Sequence, residues 1–207
     1  MATMTDRNRW ILLGLCLVLA VGFAVLALLG AADVLDDWVY SSLIHSASVP
    51  LTAYFKFVTV WADSSTMIAL AVVAVLWTLV ARRQIGFYLA GTLVISTLLN
   101  VGLKLLVARP RPEDIALIVE SGHSFPSGHA MAAVSFYGFL IYMIIGSEFK
   151  RWVKWLLSGL LIFLIVNICL SRVYLGVHFF SDVAAGALIS ICLVLAVSYV
   201  AKRKGAL

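Results

Sequence analysis

The 207-residue chain is 63% hydrophobic and only 12% charged, with a mean hydropathy of +1.08, which excludes an ordinary soluble globular domain and makes a lipid bilayer its solvent. The net charge of +5 is expected to record membrane orientation, since basic residues mark the loops held on the cytoplasmic side, and nucleic-acid binding is not expected. No linker, charge block or repeat divides the chain, so residues 1–207 read as a single membrane-embedded domain, and Cys16, Cys169 and Cys192 lie in apolar stretches where a thiol acts as a small hydrophobe.

Crossing a hydrocarbon core of about 30 Å takes about 20 apolar helical residues. Trp10 to Leu29 meets this requirement. Arg7 and Arg9 before it and the small residues Gly30 to Ala32 after it resemble a signal peptide, but the apolar run is longer than a usual signal core, so it is expected to persist as a span. Asp33 to Ser48 sets Val34, Leu35, Trp38, Val39 and Tyr40 among Asp36, Asp37 and serines, a pattern that suits a helix lying along the interface or an irregular loop. His45, in the same stretch, is expected to be exposed or interfacial. Five further spans follow at Ser65 to Ala81, Ile85 to Val107, Ala130 to Gly146, Trp152 to Leu170 and Phe179 to Val200. The expected fold is an all-α, six-transmembrane-helix bundle, and six spans put both termini on one side.

With the termini cytoplasmic, the inner face holds Arg7, Arg9, Arg82, Arg83, Lys150, Arg151, Lys154, Lys202, Arg203 and Lys204, ten of the fifteen basic residues. Lys56, Lys104, Arg109, Arg111 and Arg172 fall outside. Four of those five flank spans three to six, where a bound anion would explain them.

Three polar clusters occupy these outer span ends. Lys104, Arg111 and Arg172 are cations that would converge if their spans pack together, and a phosphate accepts charge-assisted bonds from such groups. Pro126-Ser127-Gly128-His129 precedes the fourth span, where free backbone N–H groups at a helix start favour an anion. Gly128 admits close backbone approach, and Ser127 reads either as a further donor or as a plain helix cap. His178 and Asp182 are four residues apart, so a helix starting at His178 would place them on one face, with the carboxylate on Nδ1 and Nε2 turned outward as a nucleophile. The same spacing also suits a structural pair or half of a metal site, although no further ligand lies near in sequence. His129 is suited to protonate a leaving oxygen. Asn100 and Asn167, inside spans, are expected to bond between helices. Arg109 is read as a head-group contact or as a side chain reaching for water and lipid phosphate. Glu113, Asp114, Glu120 and His123 share one loop and are read as solvated loop residues, or else as residues that shape substrate entry.

Lys104-x6-Arg111-Pro112, Pro126-Ser127-Gly128-His129 and Ser171-Arg172-x5-His178-x3-Asp182 resemble the three signature motifs of the type 2 phosphatidic acid phosphatase superfamily, within residues 104–182. The resemblance implies His178 as nucleophile, Asp182 as its partner, His129 as general acid, and Lys104, Arg111, Ser127, Gly128 and Arg172 as the phosphate cradle. It implies no metal and no cofactor. The expected activity is hydrolysis of a lipid phosphate or pyrophosphate at the extracytoplasmic face of a cell membrane. Undecaprenyl pyrophosphate comes first as substrate, phosphatidylglycerophosphate and phosphatidic acid next. A lipid A phosphatase and a lipid phosphotransferase would use the same site. A vanadate haloperoxidase would be soluble, and a transporter or lipid-binding protein would lack the nucleophile and acid.

Overall fold

The computed structural model describes residues 5–81, 84–112 and 115–205. Arg82, Arg83, Glu113 and Asp114, which entered the charge and loop readings, lie outside the described residues. In chain order the helices are α1 (Asp6–Leu28), α2 (Asp33–Ile44), α3 (Val49–Thr59), a 3-10 turn (Val60–Ala62), α4 (Ser64–Ala81), α5 (Ile85–Val107), α6 (Gly128–Gly146), α7 (Arg151–Tyr174) and α8 (Phe180–Arg203). Among the described residues, five are long and apolar enough to cross a membrane. Val49–Ala62 and Ser64–Val80, a pair bent by 44° at the break, make a sixth if the two form one broken span.

The expected span Ser65 to Ala81 coincides with α4 to within one residue, and the structure adds α3 ahead of it across the bend. Ser48 caps α3, its hydroxyl accepting from the Leu51 amide at 3.3 Å, and Pro50 sits in the first turn. That cap and proline are the local reason the helix begins there. Asp33–Ile44 is helical, as one of its two readings required.

The bundle is built around α6, which packs on α5, α7 and α8, while α1 lies along α8 and α3 along α7. Ala130 and Ala133 are fully buried and let the neighbouring backbones approach closely. Polar bonds tie the spans together: Ser135 to the Ser96 hydroxyl at 2.9 Å, Ser190 to the Met131 carbonyl at 3.0 Å and Tyr137 to the Trp61 carbonyl at 2.7 Å. Asn100 donates to the Pro126 carbonyl at 3.0 Å and Asn167 accepts from the Tyr54 hydroxyl at 2.9 Å, so both asparagines bond across elements as expected. Large apolar side chains such as Trp77, Leu98 and Phe163 point outward, as a bilayer solvent requires.

Candidate active site

The site lies where one end of the bundle is covered by residues 108–112 and 115–127. Lys104 occupies the last turn of α5, which stops as Ala108 adopts a left-handed conformation (φ 49°) with its amide on the Lys104 carbonyl, two residues before Pro110. At the far side α7 carries Ser171-Arg172 in its last turn and ends at Tyr174, and Gly176 turns the chain at φ +68°. A β-carbon there would meet the Ile115 carbonyl oxygen at 2.3 Å, so only glycine lets the covering loop rest on the α7–α8 turn. The Leu117 amide seals this contact on the Leu175 carbonyl at 2.9 Å.

His178 sits in that turn rather than on α8, which starts at Phe180. The helical pairing expected for His178 and Asp182 is therefore corrected. Their closest approach, Nδ1 to Oδ2, is 3.7 Å, too long for a hydrogen bond. Asp182 instead occupies the first turn of α8, where Oδ2 accepts from the Phe179 amide at 3.0 Å and from the Ser124 hydroxyl, and Oδ1 accepts from Arg109 at 2.8 Å. Ser124 also lies 3.4 Å from His178 Nδ1. A hydroxyl that donates to Asp182 has its lone pairs left for Nδ1–H, so Ser124 joins the imidazole to the carboxylate. No motif marked this serine. Its signal was position alone, two residues before Pro126.

The opposite nitrogen, Nε2, lies 3.2 Å from Arg111 Nη1. A guanidinium has only donors, so Nε2 must be the acceptor and the ring proton resides on Nδ1. Burial, with Arg172 and Arg111 nearby, outweighs Asp182 and pushes the His178 pKa down to about 4, so the ring is neutral at ordinary pH.

Arg111 and Arg172 act on this histidine and Lys104 lies within reach of both arginines' charge, but the three are not left to a ligand alone. Lys104 donates to the His123 carbonyl, and Arg111 donates to the carbonyls of Ser121 (3.0 Å), Gly122 (3.0 Å) and Val177 (2.7 Å). Arg172, 1% exposed, donates to the Thr59 hydroxyl at 2.7 Å and pairs with Glu120. Glu120 is thus no solvated loop residue, because a guanidinium this deeply buried demands a partner. Burial alone would raise its pKa, but Arg172 holds the carboxyl below the usual range. Two buried polar atoms of the predicted phosphate residues, Arg172 Nε and Ser127 Oγ, make no hydrogen bond with the described residues. Ser127 stands at the start of α6, yet its hydroxyl makes no cap bond, and its amide donates to the Asp182 carbonyl at 3.1 Å. At Gly128 a β-carbon would meet Asn100 Oδ1 at 3.2 Å, so this glycine also seats the α5 side chain.

His129 presents Nε2 to Asp63 Oδ1 at 2.7 Å. Asp63 lies at the break of the bent span and was not singled out from the sequence. Arg109, expected as a side chain reaching for water and lipid phosphate, is instead 8% exposed and its guanidinium is engaged by carboxylates. It bridges Asp182 to Asp36 of α2, at 2.8 and 3.0 Å, and stacks on Phe179. Burial works against its charge, and Asp182 with Asp36 more than restores it. Asp36 also accepts from the amide and hydroxyl of Ser181, each at 2.7 Å, which anchors α2 to the start of α8. His45 is exposed, immediately after the last residue of α2. Among the described residues no three His, Cys, Asp or Glu side chains converge as metal ligands, and the charged neighbours of His178 include two arginines.

Residues 85–206 match the PAP2 superfamily. The chain is 40% identical over 94 residues to phosphatidylglycerophosphatase B of Bacillus subtilis (strain 168), covering 43% of this chain and 44% of that one. It is 35% identical over 124 residues to the putative undecaprenyl-diphosphatase YbjG of Escherichia coli (strain K12), covering 58% of each. The alignments therefore span only part of the length of these curated relatives. The fold is similar to the crystal structure of a transmembrane PAP2-type phosphatidylglycerolphosphate phosphatase from Bacillus subtilis, with a TM-score of 0.81 and 26% identity over 91% of this chain and 96% of that one.

Proposed function

The chain belongs to the PAP2 superfamily, and from that premise we propose that it is a multi-pass membrane phosphatase that removes a terminal phosphate from a lipid through a phosphohistidine on His178. The observation that carries this reading is the setting of His178: buried, with Nε2 3.2 Å from Arg111 Nη1 and Nδ1 3.4 Å from the Ser124 hydroxyl that donates to Asp182. Such a ring is a nucleophile ready for an in-line attack on phosphorus.

In the first step a P–N bond forms at Nε2 while the P–O bond to the leaving group breaks, an ester bond in a phosphate monoester and an anhydride bond in a pyrophosphate, and His129 gives a proton to the leaving oxygen. In the second, water loses a proton to His129 as its oxygen displaces Nε2, releasing inorganic phosphate. Lys104, Arg111, Arg172, Ser127 and the backbone at Gly128 stabilise charge on the phosphoryl oxygens in both steps. Arg172 Nε and Ser127 Oγ are the donors most open to this task. Asp182 acts through Ser124 by fixing the tautomer. No step draws on a metal.

The basic-residue asymmetry supports an extracytoplasmic site with cytoplasmic termini. A phosphate cradle at the end of lipid-facing spans favours a substrate whose remainder stays among acyl chains. The relatives named as phosphatidylglycerophosphatase and undecaprenyl-diphosphatase support these two lipids ahead of phosphatidic acid, with undecaprenyl pyrophosphate first because an outward site suits recycling of a lipid carrier.

The test is inorganic phosphate release by purified protein in detergent with EDTA, across undecaprenyl pyrophosphate, phosphatidylglycerophosphate, phosphatidic acid and a soluble phosphate ester. Selective release from one lipid supports the reading. His178→Ala should lower turnover on the order of 10⁴-fold or more with an unchanged elution profile, and near-normal turnover by that variant would overturn the assignment.

A further inference from the structure

We propose that Asp63 is a positioning residue for proton transfer by His129, an inference that rests on the phosphatase reading and adds to it a carboxylate outside the three motifs. Asp63 Oδ1 lies 2.7 Å from His129 Nε2, with the histidine 17% and the aspartate 41% exposed. The aspartate is held there by the fold. It follows the 3-10 turn Val60–Ala62 with an extended backbone (φ −64°, ψ 149°), at the 44° bend of the second span. Tyr137 of α6 pins that turn through the Trp61 carbonyl, and Thr59, just before it, accepts from Arg172. The bend thus delivers two side chains to the site, both outside the matched residues 85–206.

With Nε2–H donated to Asp63, Nδ1 is the ring nitrogen that exchanges a proton with the substrate. A general acid must hold that second proton until the P–O bond breaks, and a hydrogen-bonded carboxylate stabilises the imidazolium that holds it. The other charged groups facing His129 are Arg172 of α7 and Glu120 of the covering loop. Those two are paired with each other, which leaves Asp63 as the carboxylate bonded directly to the ring. As His178 Nε2 bonds to phosphorus, the Nδ1 proton passes to the leaving oxygen and His129 becomes neutral, its Nε2–H still on Asp63. Water then returns a proton to Nδ1 while its oxygen displaces the phosphorus–nitrogen bond.

A helix-start aspartate with only a structural role would affect all substrates alike. The experiment compares Asp63→Asn with wild type on two single-chain phosphates in one detergent, dodecyl phosphate and a dodecyl-substituted nitrophenyl phosphate. The parameter is kcat/KM, which covers events only through expulsion of the leaving group. Loss of at least about 100-fold on the alkyl phosphate, under about tenfold on the nitrophenyl phosphate whose anion leaves unprotonated, and partial recovery in Asp63→Glu are expected. An equal loss on both phosphates, or no loss on either, would overturn the role of Asp63 while leaving the phosphatase reading intact. Wild-type silence on both phosphates and on the lipid panel would instead overturn that reading, and this inference with it.

Discussion

His178 is 3% exposed and faces two guanidinium groups, so protonating it means placing a further charge where water cannot screen it. An isolated histidine titrates near about 6.5, whereas this one is pushed down to about 4. Because kcat/KM reports the free enzyme, its acid limb should lie well below the usual histidine range. An acid limb at about 6.5 would show that the nucleophile is solvated. The same shift acts on stability with a definite sign. The unfolded chain binds this proton first as pH falls, so the contribution of a neutral buried His178 is full above its unfolded value and is lost as pH falls towards about 4. Ser124 offers a second test at this scale. Ser124→Ala leaves Nδ1–H without its nearest acceptor, a loss of about 1–3 kcal/mol, so kcat should fall about 10- to 100-fold while KM changes little.

Among the elements, the α7–α8 turn carries the most constraint in the fewest residues. Gly176→Ala would force a side chain into a left-handed conformation, at a cost of about 1–2 kcal/mol, and would press its β-carbon on the Ile115 carbonyl, 2.3 Å away. The melting temperature in detergent should drop and the covering loop should become protease-sensitive. Unchanged melting would mean that loop and turn do not touch. The membrane helices were legible in the sequence because a long apolar run has one solution in a bilayer. The motif residues were legible because phosphate chemistry confines the types that can serve. The rest was hidden for stated reasons. α3 merges with the second span's apolar pattern, and its start shows only in Ser48 and Pro50. Spacing alone put His178 and Asp182 on one helix face, yet the helix begins two residues after the histidine. Arg109, Glu120, Thr59 and Asp63 take their meaning from partners far away in the chain, and no local pattern encodes a partner.

On the scale of the whole molecule the protein is apolar along its outward faces and carries the candidate site at one end, and the proposed orientation makes that end reachable from outside the cell. Val119, fully exposed on the covering loop, tests it directly. Val119→Cys should react with a membrane-impermeant maleimide in intact cells, whereas Lys202→Cys at the other end should react only after permeabilisation. The reverse pattern would invert the topology. The bent second span has a further consequence at this scale. One wall of the site is written in three recognisable motifs, while the other, Thr59 and Asp63, stands on a segment that carries no signature. Two chains with identical motifs need not therefore be the same catalyst. Their leaving-group preferences can drift apart through a bend in a helix that a search by motif never reads.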